Sequence, residues 1–561
     1  MKYYEKGLDS LMDKALFMIT IGPVQSFIAE ARKLKDLYAG SYLLSYIIKN
    51  MVVNIKEPDW NVQVVFPDRE LESMPNRIVC ILNYNHREEK EKFAESLSQK
   101  ARMCFKDITE KIKVKHGFQS EFFDEEINRF LEIHWCYRDL DSYETTYRKL
   151  VRDLQEVKRI RRFDYVEHPS GRTCSISGGR RALFALRDSR DLMKHRIILD
   201  PGTYRSQLSE SLSAVSFVKR FLQDAGIENF NSSFPSVVNI ALGNRLNRLL
   251  NGARLSAGNA SGLYYYMNNG EFNPEEENDQ DKDFIKELVK CIGEQKIPVT
   301  SYYAVIKFDG DSMGKLYTAA ALIDSEQTQE FHTYLSKSLM EYAGRVRQSM
   351  RPEEGVIVYT GGEDFLGFVC LDALFPVLKR LRNDFGEIKT GDFIKDHGLS
   401  FSAGITIAHI HEPLSDVMSE VNKAEHFAKD IDENKDAFAI SLMVRGNQTV
   451  RARLKFGEKC ENLELLNVII FYLRKKKISH SFVYKLMEAT KYLEAEKVTG
   501  HILQKMIYLE TIRLLSSSET DPLADENEYW KSFDDLQSKQ RDEDGYIQWL
   551  SICTFLEREA E

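Results

Sequence analysis

Two short acidic stretches carry the chemistry of this chain. Asp309-Gly310-Asp311 follows the apolar run Tyr302 to Phe308, and Gly361-Gly362-Glu363-Asp364 separates the run Val356 to Thr360 from the run Phe365 to Cys370. Carboxylates on rigid strand ends offer the hard oxygen ligands that a pair of Mg²⁺ or Mn²⁺ ions takes, with water and substrate phosphates filling the remaining positions. Gly361 and Gly362 allow positive φ in a tight hairpin and leave no side chain where a nucleotide approaches; Gly310 lets a backbone carbonyl face a metal. Either motif alone is commonly a plain turn. They become a site when the fold brings them to one sheet edge. Gly310 to Lys315 is not a phosphate-binding loop, because only three residues separate Gly310 from Gly314 and Leu316 stands where a Ser or Thr would follow the lysine.

The surrounding pattern supplies that edge. It predicts a strand over Tyr302–Phe308, a helix near Gln327–Met350, strands over Val356–Thr360 and Phe365–Cys370, a helix over Leu374–Phe385, a strand over Ser400–Ala408, a helix over Leu414–Lys429 and a strand over Ala437–Met443. This is βαββαβ with one extra αβ. In such a unit the first and second strands run parallel and the third returns between them, so Asp309 is expected to meet Glu363 and Asp364.

A second βαββαβ pattern opens the chain. The run Leu16–Ile21 is cut by Gly22-Pro23 and followed at helical spacing by Val24, Phe27, Ile28, Ala31, Leu34, Leu37, Tyr38, Ser41 and Leu44. Strands at Val62–Phe66, Ile78–Leu82 and Ile133–Tyr137 and a helix at Glu91–Ile112 complete a small sheet with helices on one face, and a polar helix, Tyr143–Arg162, leads out of it. Between the two units lie helical stretches at Ser206–Asp224 and Val237–Leu250 and an acidic run, Pro274–Asp283, that reads as a solvated linker. The tail carries helical periodicity (Leu463, Leu466, Ile469, Ile470, Leu473) and no trusted strand pattern. The expected fold class is α+β: two ferredoxin-like domains, 1–163 and 299–445, joined by a helical insert, 164–298, with a C-terminal helical domain, 446–561.

Composition sets the bounds. The 561 residues, 43% hydrophobic with a formal charge of −9, are enough for three to five domains that each bury a core. Neither a long uncharged apolar run nor an apolar stretch behind a basic start occurs, so a membrane span and a secretory signal are excluded and the cytoplasm is expected. Eight cysteines without a Cys-x-x-Cys pair point to reduced thiols and to no four-sulfur metal cage. The acidic balance excludes a protein that coats nucleic acid by net charge alone, leaving local basic clusters at Lys158–Arg162, Arg180-Arg181 and Arg474–Lys477 that could touch RNA phosphate or a partner subunit.

Several blocks together resemble one known family. Ile21-Gly22-Pro23-Val24-Gln25-Ser26-Phe27-Ile28, Ala31-Arg32, Asp36-Leu37, Ala39-Gly40-Ser41-Tyr42-Leu43-Leu44-Ser45, Phe66-Pro67-Asp68, Pro75-Asn76-Arg77, Asp309 to Lys315, the Gly361 to Asp364 turn and Ser402-Ala403-Gly404-Ile405 are similar to the large Palm subunit (Cas-ten, Cmr type) of type III-B CRISPR effector complexes. The resemblance runs from about residue 16 to 445. It implies two Palm domains that bind two ATP molecules across their interface and join ATP into cyclic oligoadenylate once the complex has captured a foreign transcript. The implied partners are other subunits of the effector complex, with guide RNA and target RNA reached through it. Carried over residue by residue, Asp309, Glu363 and Asp364 are the metal ligands, Gly310, Asp311, Gly361 and Gly362 line the nucleotide, and Lys429 holds the triphosphate. In the first unit, backbone N–H groups after Gly22-Pro23 can face a phosphate, and Gln25 and Ser26 are candidates for nucleotide contact, with helix capping as their plain alternative.

The chain departs from the family pattern in three ways. It has no His-Asp dipeptide, so no DNA cleavage by this subunit is expected. The family's zinc finger survives as Cys174, Ser177, Ser213 and Ser216, so no structural zinc is expected; His168 could add a ligand, but one His and one Cys do not close a tetrahedral site. The turn reads GGED where the family has Gly-Gly-Asp-Asp, and Glu remains an oxygen ligand. Some relatives couple AMP to S-adenosylmethionine instead, and Asp68 and Glu70 would suit such a cationic acceptor unless they are a solvated turn. The acceptor stays open. A catalytically silent scaffold subunit and a free-standing diguanylate cyclase are the other readings; the paired units and the GPVQSF block speak against the latter.

Overall fold

Ala15 to Met18 are fully buried although neighbouring strand residues point to opposite faces, so their strand must be central and covered on both sides. The computed structural model describes residues 13–53, 55, 60–70, 73–160, 173–186, 196–198, 210–250, 257–270, 279–297, 299–318, 322, 324–394, 398–444, 448–475, 480–495, 505–507, 509–511, 513, 528–539 and 545–560. They gather into two compact units. The first comprises Met1–Phe234, Ser312–Ala343 and Lys389–His397; the second comprises Pro235–Asp311, Gly344–Ile388 and Gly398–Glu561.

The first unit is built on β1 (Asp13–Gly22), α1 (Gln25–Ala29), α2 (Leu34–Val53), β2 (Val62–Phe66), β3 (Arg77–Tyr84), α3 (Glu88–His116), α4 (Glu121–Phe130), β4 (Glu132–Asp139) and α5 (Tyr143–Arg159). The strand order is β2-β3-β1-β4, with β1 antiparallel to both β3 and β4, which is the ferredoxin-like arrangement. Helices cover both faces rather than one. Phe17 meets Phe93 of α3 edge-on at 5.0 Å, while Leu16 and Met18 pack with Tyr147, Leu150 and Leu154 of α5. The helix expected to lead away from the sheet therefore returns to it, because three apolar side chains at helical spacing bury about 1.5–3 kcal/mol each.

The segment expected as a helical insert carries strands as well. β5 (Phe184–Leu186), β6 (Arg196–Ile198) and β7 (Glu210–Leu212) form a small sheet ordered β6-β5-β7, followed by α6 (Ala214–Arg220). The segment is divided between the units at Phe234/Pro235. Cys174 and the serines of the degenerate finger gather here: the Cys174 thiol donates to the Ser216 hydroxyl at 3.3 Å, Ser213 Oγ lies 3.3 Å from Ser216 Oγ, and Ser177 Oγ accepts from Arg180 N–H. One thiol with hydroxyls is a donor set that does not fit zinc. Ion pairs organise this segment: Arg220 bonds both Asp36 and Glu210, all three nearly solvent-free. Burial pushes the Asp36 carboxyl up, but the Arg220 pair outweighs it and holds the group below its ordinary value. His168 lies outside the described residues.

The second unit begins with α7 (Val237–Leu250), α8 (Ala257–Asn269) and α9 (Asp279–Gln295), joined through Leu242, Leu246, Leu263, Leu288 and Ile292. Half of the acidic run expected as a linker, 274–278, lies outside the described residues, and the other half, 279–283, opens the helix α9 instead. β8 (Tyr302–Gly310) follows; after α10 (Met313–Tyr317) and α11 (Thr328–Ser349), which up to Ala343 belong to the first unit, come β9 (Gly355–Thr360), β10 (Asp364–Cys370), α12 (Leu374–Gly386), β11 (Phe401–His409), α13 (Leu414–Lys429), β12 (Ala437–Val444) and β13 (Gln448–Lys455). The sheet runs β13-β12-β11-β8-β10-β9, a ferredoxin-like core extended by a parallel β12 and an antiparallel β13. β13 lies within the tail expected to be wholly helical. Its residues alternate, Val450, Ala452 and Leu454 against Arg451, Arg453 and Lys455, and the two arginines pair with Glu420 and with the Phe427 carbonyl.

Residues 312–343 gather with the first unit. Within that unit, His332 is buried against Tyr143, Tyr147 and Tyr317. Burial pushes His332 down to about 4; the neutral ring donates from Nε2 to the Tyr317 carbonyl and accepts at Nδ1 from the Tyr143 hydroxyl. The tail helices α14 (Glu461–Arg474), α15 (His480–Ala495), α16 (Glu528–Lys539) and α17 (Gly545–Glu559) complete the second unit. Trp549 of α17 is fully buried near Phe438 and donates to the Arg453 carbonyl.

Candidate active site

The last turn of β8 is aimed by the aromatic ring that precedes it. Phe308 stacks on Phe365 at 5.1 Å and on Phe401 at 3.8 Å, with Phe385 edge-on beneath. A ring fixed on that face sends the next side chain, Asp309, to the opposite face. Register does the rest. Asp364 on β10 lies directly across from Asp309, and Ser402 on β11 flanks it on the other side. Side chains opposite one another in an antiparallel pair have Cβ atoms roughly 5 Å apart, so the two carboxylates share one patch.

The glycine pair shapes the hairpin that holds Asp364. Gly362 sits at φ +104°, a conformation L side chains rarely adopt. A Cβ on Gly361 would lie 2.6 Å from Asp364 Oδ1, so only glycine leaves room for that carboxylate. The Glu363 carbonyl accepts from Gly310 N–H at 2.8 Å, tying the turn to the end of β8.

Charges on this face are balanced by lysines. Lys429 Nζ donates to Asp309 Oδ2 and to Glu425 Oε1, each at 2.7 Å. Lys307, two residues before Asp309 on the same strand face, reaches Glu425 Oε2 at 2.7 Å and donates to Asn422 Oδ1. Burial, then the Asp309 charge, pushes the Asp364 carboxyl up to about 6 against the opposing pull of Lys307. Burial raises the Tyr359 phenol well above its ordinary value, and Asp364, Glu425 and Asp309 push the same way. Burial likewise opposes the Glu425 charge, but Lys307 and Lys429 outweigh it and hold that carboxyl low.

The expected site residues divide into two groups. Asp309, Gly310, Gly361, Gly362, Asp364 and Lys429 gather at one end of the second unit's sheet. Glu363 shares that turn; among the described residues no three His, Cys, Asp or Glu side chains are grouped to hold a metal ion. Asp311, expected beside the nucleotide, is instead turned inward, its Oδ2 accepting from the Ser400 hydroxyl and from Asp436 N–H, each at 3.0 Å. Gln25, Ser26 and Asp68 belong to the first unit. Gln25 and Ser26 are exposed on α1, which starts without a side-chain cap. Asp68 accepts from Glu70 N–H at 2.9 Å, the hydrogen bond of an Asx-turn, and its own N–H donates to Ser336 Oγ. Sequence reasoning missed Lys307, Glu425 and Tyr359, although Lys307 lies two residues before Asp309 and Glu425 one helical turn before Lys429.

The donor chemistry fits Mg²⁺ or Mn²⁺, which is ordinarily held by one or two carboxylates with water and substrate phosphates completing the shell. The Asp309 side chain is 43% exposed and thus reachable from solvent, and a cationic group already stands on its Oδ2. Among the described residues no helix is long and apolar enough to cross a membrane.

The model of the Cas10/Cmr2 second palm domain matches residues 302–439, and that of the CRISPR-associated protein Cmr2 N-terminal region matches residues 16–113. A curated relative, the CRISPR system Cmr subunit Cmr2 of Pyrococcus furiosus, is 23% identical over a 564-position alignment covering 78% of this chain and 62% of the relative. The chain thus spans under two thirds of that relative's length. Two solved structures share the fold: the type III-B Cmr-beta complex bound to cognate target RNA, with TM-score 0.62, 13% identity and coverage of 98% of this chain and 84% of that one, and its apo state, with TM-score 0.59, 14% identity and coverage of 91% and 77%.

Proposed function

We propose that the chain, whose residues 16–113 and 302–439 match Cas10/Cmr2 family models, is a member of that family and an RNA-activated nucleotidyltransferase subunit of a type III-B CRISPR complex. It takes ATP with Mg²⁺ and releases pyrophosphate as it makes an AMP-containing messenger, a cyclic oligoadenylate. The observation that carries this reading is the register pairing of Asp309 with Asp364 beside the Gly361-Gly362 turn, with the Asp309 side chain 43% exposed to solvent. Asp309 and Asp364 would hold the divalent cations, with Glu363 in the same turn as Asp364. Bound there, the cations supply charge neutralisation at the α-phosphate and a lowered pKa for an attacking ribose hydroxyl. Lys429 binds the polyphosphate, and Gly361 leaves the room that the Asp364 carboxylate occupies.

The test uses the assembled complex with labelled ATP, Mg²⁺ and target RNA, with and without S-adenosylmethionine. Oligoadenylate and pyrophosphate that form in wild type without S-adenosylmethionine, and vanish in Asp309→Asn, are the expected result. Strict dependence on S-adenosylmethionine overturns the choice of acceptor. No turnover under either condition overturns the catalytic reading and leaves a scaffold.

A further inference from the structure

Glu425 is a buried carboxylate beside the site that nucleotidyl transfer does not call for. Its side chain is 5% exposed, and α13 presses it close to the sheet: a Cβ on Gly404 would lie 2.3 Å from Glu425 N and 2.5 Å from the Val421 carbonyl oxygen. A charge at that depth is costly unless paired. Glu425 is paired twice, Oε1 with Lys429 and Oε2 with Lys307, each at 2.7 Å. The same Lys429 ammonium touches Asp309 Oδ2 at 2.7 Å. One lysine thus bridges a fixed, buried acid and an accessible acid that faces solvent, and it stands on the oxygen a divalent cation would take.

Resting on the reading of Asp309 and Asp364 as the divalent-cation site, we propose that Glu425 is a positioning residue: it holds Lys429 as the resting counterion of Asp309 and retains it at the site when a divalent cation and a nucleoside triphosphate displace that pairing. Lys307 occupies the second oxygen of Glu425, so Glu425 stays charge-compensated while Lys429 exchanges Asp309 for a phosphate. The Lys429–Glu425 contact persists in both states, and only the Lys429–Asp309 contact breaks. Lys429 and the divalent cation therefore compete for Asp309 when nucleotide is absent and cooperate when it is present.

The opposite signs of these two effects make the idea testable by binding alone. The full chain is titrated calorimetrically with Mn²⁺, with and without a non-hydrolysable ATP analogue. Lys429→Met is expected to bind Mn²⁺ about three- to tenfold more tightly without nucleotide, because a partly exposed competing charge is gone, and the analogue about tenfold more weakly. Glu425→Gln is expected to weaken the analogue about fivefold and, in the assembled complex, to raise KM for ATP more than it lowers kcat, with Glu425→Asp restoring most of the loss. Unchanged or weaker Mn²⁺ binding in Lys429→Met overturns the competition. Wild-type analogue binding in Glu425→Gln overturns the positioning role. Should Glu425→Gln fail to fold, Glu425→Asp is titrated in its place: its shorter reach is expected to weaken the analogue about twofold, and wild-type binding overturns the positioning role. Mn²⁺ binding that survives in Asp309→Asn would instead sink the underlying site assignment, which separates the two failures.

Discussion

Removing the negative charge at position 364 should stabilise the second unit while abolishing turnover. The Asp364 carboxyl is pushed up to about 6, from an ordinary 3.8, first by burial and then by Asp309. Between those two values the folded chain binds more protons than the unfolded chain, so stability falls as pH climbs from about 4 to about 6 and remains at the lower level above that. A shift of about two units corresponds to roughly 3 kcal/mol, and the residual solvent contact of Asp364 reduces the expected effect to about 2 kcal/mol. Asn at 364 leaves the main-chain carbonyl that accepts the Gly361 N–H in place and carries no charge. Asp364→Asn is therefore expected to match wild type near pH 4 and to exceed it by about 2 kcal/mol at pH 8, read by urea denaturation followed by circular dichroism. Under the proposed function, the same substitution should cut ATP turnover by about a hundredfold or more, because a carboxylate of the proposed cation site is lost. An offset that does not change with pH, or a variant less stable than wild type at pH 8, would refute the like-charge reasoning.

Gly361→Ala should move the Asp364 carboxylate, since the new Cβ falls 2.6 Å from Oδ1; weaker Mn²⁺ binding at a cost of about 1–3 kcal/mol in stability is expected from titration and denaturation. Arg220→Met should leave Asp36 and Glu210 buried without their shared cation and lower first-unit stability by about 3–5 kcal/mol, with the loss easing in acid as the carboxyls take up protons. Leu150→Ala should cost the first unit about 2–5 kcal/mol by opening a cavity under α5, while Mn²⁺ binding at the second unit's sheet stays at wild-type strength. Because Cys174 is partnered by hydroxyls and not by thiolates, a zinc chelator should leave the melting temperature of the purified chain unchanged; a drop of several degrees would contradict the donor-set argument.

Much of this protein was legible in its residues because strands and helices write their period directly into the chain. Both βαββαβ patterns, the turn at Gly361-Gly362 and the neighbourhood of Asp309 and Asp364 follow from alternation, helical spacing and topology, all of which are local or combinatorial. Local pattern fails where a long-range partner changes the sign of a residue's preference. β13 does alternate, Val450, Ala452 and Leu454 against Arg451, Arg453 and Lys455, but so short a run among helical periodicity became a strand only by pairing with β12, where Glu420 and the Phe427 carbonyl partner its arginines. The polar α5 looked like a departing helix until its narrow apolar stripe found β1 and β3.

The site divides along the same line. Residue types and spacing determined which carboxylates could approach one another, because cross-strand register follows from hairpin length and strand order. Only the tertiary structure decided that Asp311 turns inward to Ser400 and Asp436, that Asp68 closes an Asx-turn, and that Glu425 locks two lysines over the sheet. Those outcomes depend on how deeply each charge is buried and which opposite charge lies within about 3 Å of it, and neither quantity exists until distant stretches of backbone have packed.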